Sequence, residues 1–205
     1  MAEINLDISQ IGFSSKDKIK KIVLPNKLNP DLAYDVGVHI ADGCMNAYKV
    51  RTGTDYYYKC SGNPETEKEW YDSILLPLKK RLFNFPNEAK FLKDGTYGLN
   101  FRSKAIVSFY NKVIGLPLGK KSQTIAIPRL IFDNPDLRLA CLRGIFDADG
   151  YVSFKKRYKK FHYYPYLGFS TQSKVLVYQI KAILDNLEIP NSTCSVERFD
   201  RRFKE

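Results

Sequence analysis

An α+β fold built as two copies of one αββαββα unit, the second copy shortened, is what this 205-residue sequence predicts. Three observations lead there. A nine-residue stretch closing a helical run, "DVGVHIADG" (35–43), returns as "LRGIFDADG" (142–150). The offset, 149 − 42 = 107, also carries Tyr56-Tyr57 onto Tyr163-Tyr164 and Tyr71 onto Tyr178, so one register holds over about 35 residues. Each helical run is followed by an alternating, aromatic-rich segment and then a second amphipathic helix.

Residues 1–28 read as a polar, lysine-bearing extension, partly ordered against the body. The first subdomain with its connector is 29–127 and the second is 128–205. "NPDLAYDVGVHIADG" starts with Asn29 as N-cap and Pro30 at the first helical position, and stops at Gly43; "NPDLRLACLRGIFDADG" repeats this with Asn134, Pro135 and Gly150. Hairpins follow over 44–51 and 55–61, and over 151–157 and 162–171, turning at Thr52-Gly53-Thr54 and Tyr158-Lys159-Lys160. The longer helices span 65–83 (Trp70, Ile74, Leu75, Leu78, Leu82) and 173–187 (Leu176, Ile180, Ile183, Leu184, Leu187). The first copy continues through strands near 89–102 and a helix near 104–114, then a connector, "GLPLGKKSQTIAIP". The second copy stops after "STCSVERFDRRFKE", with room for one more strand.

Composition narrows the functional classes. At 44% hydrophobic and 27% charged residues, the chain is ordinary globular protein. No apolar run approaches the roughly 18 residues of a membrane span, and "MAEINLDISQ" has no signal-peptide core. A soluble, intracellular protein is expected, in the cytoplasm or nucleoid of a prokaryote or in an organelle, with no membrane partner. Cys44, Cys60, Cys141 and Cys194 have no CxxC spacing and only His39 and His162 accompany them, which argues against zinc and against a disulfide scaffold. All four read as buried small hydrophobes in a reducing compartment. The net charge of +11 and pI near 9.4 favour a polyanionic partner, nucleic acid first.

The repeated helix carries the chemistry. Gly37 and Ala41, like Gly144 and Ala148, are four apart and lay small residues on one face, where two helix backbones can meet. Pairing through those faces puts Asp42 and Asp149 side by side at two negative helix ends. Such carboxylates repel each other unless they face solvent or share a divalent cation. Oxygen-only donors point to Mg²⁺, and a basic protein holding Mg²⁺ by carboxylates points to metal-assisted phosphodiester hydrolysis. An Asp-Gly turn that merely ends a helix is the plain alternative.

These two stretches resemble the signature helices of the LAGLIDADG homing endonucleases in their single-chain, two-motif form, and the order of elements agrees from about residue 29 onward. The resemblance implies a monomeric, pseudo-twofold fold in which two saddle-shaped antiparallel sheets straddle the DNA major groove. It implies a site-specific double-strand break in duplex DNA at a long target, with no obligate protein partner, in an intron-encoded type of enzyme. Asp42 and Asp149 would be catalytic and, with Ala41 and Ala148, would form the metal set. Mg²⁺ is the expected cofactor, with Mn²⁺ substituting and Ca²⁺ binding without supporting cleavage. Asp147 takes the place of a structural aspartate. The family often carries a polar/basic pair where this chain has Gly62-Asn63 and Gln172-Ser173, so Lys104 and Lys174 stand as further catalytic candidates beside Lys121.

Strand alternation sorts the expected DNA face. Val152 and Phe154 are expected to face the core, and Tyr151, Ser153, Lys155 and Arg157 to face out. Asn46, Tyr48, Arg51, Tyr56, Tyr58, Asn100 and Arg102 form the first copy's outward set. Lys121, Lys159 and Gln172 complete the DNA-contact candidates. Arg–guanine and Asn–adenine pairings favour base readout for some, while "KKRYKK" (155–160) favours phosphate. His39 is expected at the helix interface and His162 has no role assigned. An intron RNA-splicing maturase, or a non-cleaving DNA binder on the same scaffold, is the rival reading; retention of both aspartates favours the nuclease.

Overall fold

The computed structural model describes residues 3–157 and 161–195. The extension is tied down by a short antiparallel pair, β1 (Ile4–Asn5) with β2 (Lys27–Leu28), flanking α1 (Ser15–Ile19). Asp17 shares a capping box with Ser14, and its carboxylate also accepts from Ser103 Oγ at 2.6 Å and from the Ala105 N–H at 3.2 Å. One buried acid thus caps two helices that lie far apart in sequence.

α2 (Pro30–Ala41) starts where expected, with Asn29 accepting from the Leu32 N–H at 2.9 Å. β3 (Gly43–Val50) and β4 (Gly53–Gly62) pair antiparallel with Val50 opposite Gly53, so the turn is Arg51-Thr52, earlier than the expected Thr52-Gly53-Thr54. Gly53 supports that tight turn with φ +136°. α3 (Lys68–Trp70), a π-turn over Tyr71–Leu75 and α4 (Leu76–Phe83) form one helical run, shorter at its start than the predicted 65–83. Pro77 lacks the N–H that would bond back one turn, and the wider turn just ahead of it absorbs the defect.

β5 (Lys90–Phe91) and β6 (Tyr97–Arg102) complete a four-stranded antiparallel sheet in the order β3-β4-β6-β5. α5 (Lys104–Phe109), capped by Ser103 and extended by a π-turn over Tyr110–Ile114, covers that sheet; Ala105, Ile106, Val107, Phe109 and Tyr110 are fully buried. The connector leads through α6 (Arg129–Phe132) to α7 (Pro135–Asp149), capped by Asn134, then to the antiparallel hairpin β7 (Gly150–Arg157) and β8 (Phe161–Phe169), and to α8 (Lys174–Asn186). This is a mixed α+β architecture with antiparallel sheets. No helix among the described residues is long and apolar enough to cross a membrane.

Two expectations are corrected. Val152 and Phe154 are exposed, because among the described residues no strand or helix lies over β7–β8 as β6 and α5 lie in the first sheet's layer. Cys44 and Cys194 are also exposed; only Cys60 and Cys141 are buried. Cys44 sits on the face of β3 opposite the buried Met45, as strand alternation requires.

Candidate active site at the ends of two paired helices

α2 and α7 pack against each other through glycine. A Cβ on Gly37 would overlap the carbonyl oxygen of Cys141, and one on Gly144 would overlap that of Tyr34. The next neighbours are the Ile145 and Val38 nitrogens. Both sets are related by the sequence offset, since 141 − 34 = 107 and 145 − 38 = 107. Backbone thus meets backbone at matching places on the two helices, an approach that any larger residue would block. Tyr34 reaches across to α7, its hydroxyl donating to Asp147 at 2.8 Å, while Arg143 lies over its ring at 5.8 Å.

The pairing brings both helix ends together. Asp42 caps α2 and Asp149 is the last residue of α7. Burial, the charge of Asp149 and then that of Glu67 push the Asp42 carboxyl up to about 7, against the pull of Lys121. Burial raises Asp149 as well, with Lys121 again opposing. Carboxyls this close and this dry resist ionising together.

Glu67 is a third acid that the sequence pattern does not single out. Its carboxylate lies where a Cβ on Gly62 would be, so Gly62 is small to admit it.

Lys121 arrives from the connector and donates to the carbonyl oxygens of His39 at 2.6 Å, Ala41 at 2.9 Å and Ile40. All three of its N–H donors are directed at the negative end of α2. Burial pulls its ammonium down to about 8, opposed by Cys60, Asp149, Asp42 and Cys44. This lysine is therefore the cation that acts on both aspartates.

Lys104 instead begins α5 with its ammonium against Gly12. Lys174 begins α8 on the surface, one residue after the cap Ser173.

The donor types at the helix ends suit a hard cation: two carboxylates, with the Ala148 carbonyl next to Asp149 in sequence, while the Ala41 carbonyl accepts from Lys121. Among the described residues no group of three or more His, Cys, Asp or Glu side chains gathers to hold a metal. A cation here would therefore rest on two acids and on main-chain, water or phosphate oxygen.

Beneath the site lies a buried polar cluster. Lys79 Nζ is 2.8 Å from an Asp35 carboxylate oxygen and donates to Tyr110 at 2.6 Å and Tyr58 at 3.2 Å; Tyr110 donates to the other Asp35 oxygen. His39 stacks on Tyr110 with ring centres 5.4 Å apart, and burial holds it neutral, well below the ordinary histidine range. Neither of its ring nitrogens finds a partner among the described residues.

The first sheet's outward face is set by register. Asn46 lies opposite Tyr57, which lies opposite Arg102; Cys44 lies opposite Lys59, which lies opposite Asn100. Asn46, Tyr48, Asn100 and Arg102 thus share a face with Tyr57 and Lys59, which the sequence pattern does not single out. Tyr58 is a correction. It is opposite Met45 on the inner face, fully buried and bonded to Lys79, so it cannot contact DNA. Tyr56 shares that inner side and is half-buried against the core.

Both errors have one cause: placing the turn a residue late shifts the alternation of β4 by one. Arg102 donates to Asp55 at 2.8 Å, and Lys59 pairs with Asp94. Arg51 stands exposed in the turn, Gln172 is exposed, and Ser153 is half-buried. Lys155 and Arg157 are strand positions whose side chains lie outside the description, and Lys159 lies outside the described residues.

Residues 136–201 match the family model of the LAGLIDADG-like domain. Over 139 residues, 67% of this chain, the sequence is 33% identical to a subunit of the A-type ATP synthase of Pyrococcus abyssi (strain GE5 / Orsay), of which it covers 12%. Over 165 residues, 75% of this chain, it is 29% identical to the probable translation initiation factor IF-2 of Methanocaldococcus jannaschii, of which it covers 13%. The chain thus spans about an eighth of the length of these curated relatives. A crystal structure of the I-LtrWI LAGLIDADG homing endonuclease bound to target DNA superposes with a TM-score of 0.46 and 13% identity, covering 76% of this chain and 72% of that one. Residues 136–201 thus carry a LAGLIDADG-like domain, which begins within α7, the helix that pairs with α2 through Gly144 and Gly37 and, like α2, runs into Ala-Asp-Gly.

Proposed function

We propose that this chain is a Mg²⁺-dependent, site-specific DNA endonuclease that breaks both strands of a long target, and that its two halves are copies of one unit. The observation that carries this reading is the meeting of Asp42 and Asp149 at the ends of α2 and α7. Evolving two buried acids that repel each other has no value for packing; a shared cation relieves the repulsion. The two relatives, one named for an initiation factor and the other for part of an ATP synthase, share no activity in their names. A segment common to both is therefore better read as a unit with chemistry of its own.

Asp42 and Asp149, with the Ala148 carbonyl, would hold the cation; the expected Ala41 carbonyl accepts instead from Lys121. Bound there, Mg²⁺ supplies Lewis acidity and lowers the pKa of a water. The chain's own residues do the rest. The glycine contact fixes the separation of the two carboxylates, so each can serve one strand. Lys121, held by three carbonyls, places a positive charge beside the phosphate that is cut. The outward row of Asn46, Tyr48, Tyr57, Lys59, Asn100 and Arg102 lies against the groove, where asparagine and arginine can read base edges. The remaining basic surface holds phosphates and makes binding salt-dependent.

Selection of cut molecules from a randomised duplex library tests the reading and supplies the target. Recovered sequences sharing one long site, cut in Mg²⁺ and Mn²⁺ and only bound in Ca²⁺, are expected. A pure protein that binds structured intron RNA and cuts no duplex under any of these ions would turn the assignment to a maturase.

A further inference from the structure

An acid stands within the outward row of the first sheet. Asp55 lies opposite Tyr48 and two residues from Tyr57 on β4, so it shares the outward face with Asn46, Tyr57 and Arg102. Arg102 lies opposite Tyr57, which makes Asp55 its diagonal neighbour, and Arg102 Nε donates to Asp55 Oδ2 at 2.8 Å. A carboxylate is a poor choice for a face that meets phosphates. It repels them, in a chain whose net charge of +11 otherwise attracts them. Folding does not explain it either: with the Arg102 side chain 63% and that of Asp55 30% exposed, this is a surface ion pair, and such pairs add little to stability.

The point of contact does explain it. A guanidinium has Nε at its base and the two terminal nitrogens, Nη1 and Nη2, at its tip. Asp55 holds the base. The tip is the edge whose paired N–H groups match the O6 and N7 acceptors of guanine in the major groove. A long side chain already held in one orientation also loses less freedom when it binds. The other cation of the row, Lys59, is paired as well, with Asp94 from the turn before β6. Its ammonium is a point charge without a fork, so the same arrangement gives it no comparable selectivity.

We propose that Arg102 is a specificity-determining residue that reads one guanine of the target through Nη1 and Nη2, and that Asp55 is its positioning residue. Asp55 sharpens discrimination at that base while it weakens the general attraction for phosphate. This rests on the reading that the outward row lies against the groove of a DNA target.

The test selects bound duplexes from a randomised library in Ca²⁺ with the parent, Asp55→Asn and Arg102→Lys, and measures the affinity of each protein for an unrelated duplex. The parent's sequences should share a guanine at one position in one half of the site. Arg102→Lys should lower the preference for that guanine by about tenfold or more and leave the other positions as they are. Asp55→Asn should relax the same position and yet bind the unrelated duplex more tightly, because a negative charge is gone and the cation remains. Loss of a merely structural contact would blur every position and tighten nothing. An Asp55→Asn profile that is unchanged, or blurred evenly, overturns the proposal. So does an Arg102→Lys protein that keeps the parent's preferences. Cutting in Mg²⁺ is scored on the same proteins. A parent that cuts a selected site indifferent to both substitutions refutes this inference alone, and one that selects the guanine without cutting refutes the nuclease alone. A parent that selects no shared sequence refutes both.

Discussion

The two halves of this molecule begin with the same helix and hairpin but build opposite interiors. In the first, Lys79 and Asp35 form an ion pair in the core, wrapped by Tyr58 and Tyr110 beneath a closed four-stranded sheet. In the second, the matching places hold Asn186 and Leu142, and the hairpin stands with its apolar face open. Beyond the order of helix and hairpin, what the halves keep in common lies in the helix pair: the glycine contacts, the asparagine caps and the terminal aspartates. The comparison supports the proposal that the chemistry resides in that pair, since the surroundings of the two helices differ.

The strongest way to break the comparison is in the core. Lys79→Met strands the Asp35 charge and is expected to cost about 3–5 kcal/mol in urea denaturation, while Asn186→Met at the matching surface place stays within about 0.5 kcal/mol. Asp35→Leu with Lys79→Met recovers most of that loss, since no buried charge is then left unpaired. Next in size is the hairpin: Met45→Ala is expected to cost about 2–4 kcal/mol, and Val152→Ala almost nothing, because only the first leaves a cavity.

The helix pair should instead behave alike on both sides. Gly37→Ala and Gly144→Ala each push a methyl into a facing carbonyl, at about 1–3 kcal/mol apiece, with matched losses of DNA cutting. Unequal losses would show that the contact is not shared evenly.

The smallest effect is a gain. Asp42 titrates near 7 in the fold and near 3.8 in the unfolded chain. The native state therefore holds the extra proton, and stability falls as pH rises from about 4 to about 7. Asp42→Asn removes that decline and stabilises the metal-free protein at pH 8 by about 1–2 kcal/mol. Added Mg²⁺ reverses the ranking, because only the parent protein gains from binding it.

Much of the molecule is legible in the sequence where local chemistry decides. Asn29 with Pro30, and Asn134 with Pro135, mark two helix starts that the structure places at those residues. Gly37 and Gly144 announce a close helix contact, and they make one. Register is harder: alternation in β4 reads equally well in two phases, and only the position of the turn chooses between them. That is why Tyr58 is expected outside and Tyr57 and Lys59 escape notice. Lys79 sits among polar neighbours in "PLKKRLF" and reads as a surface lysine; its burial depends on Asp35, 44 residues earlier (79 − 35), and on Tyr110. Glu67 likewise gains its place only when Gly62 leaves room. Lys121 can be nominated, but nothing in "GLPLGKKSQTIAIP" says that it closes the end of α2.

In the proposed enzyme Asp42 and Asp149 form one site with one acid for each strand. The most direct measurement is cutting of the selected target by Asp42→Asn and Asp149→Asn, with nicked and linear products resolved and binding followed in Ca²⁺. Each single variant should bind DNA as the parent does and lose double-strand cutting by a factor of about a thousand or more. Two variants that both still linearise the duplex in Mg²⁺ would contradict the account.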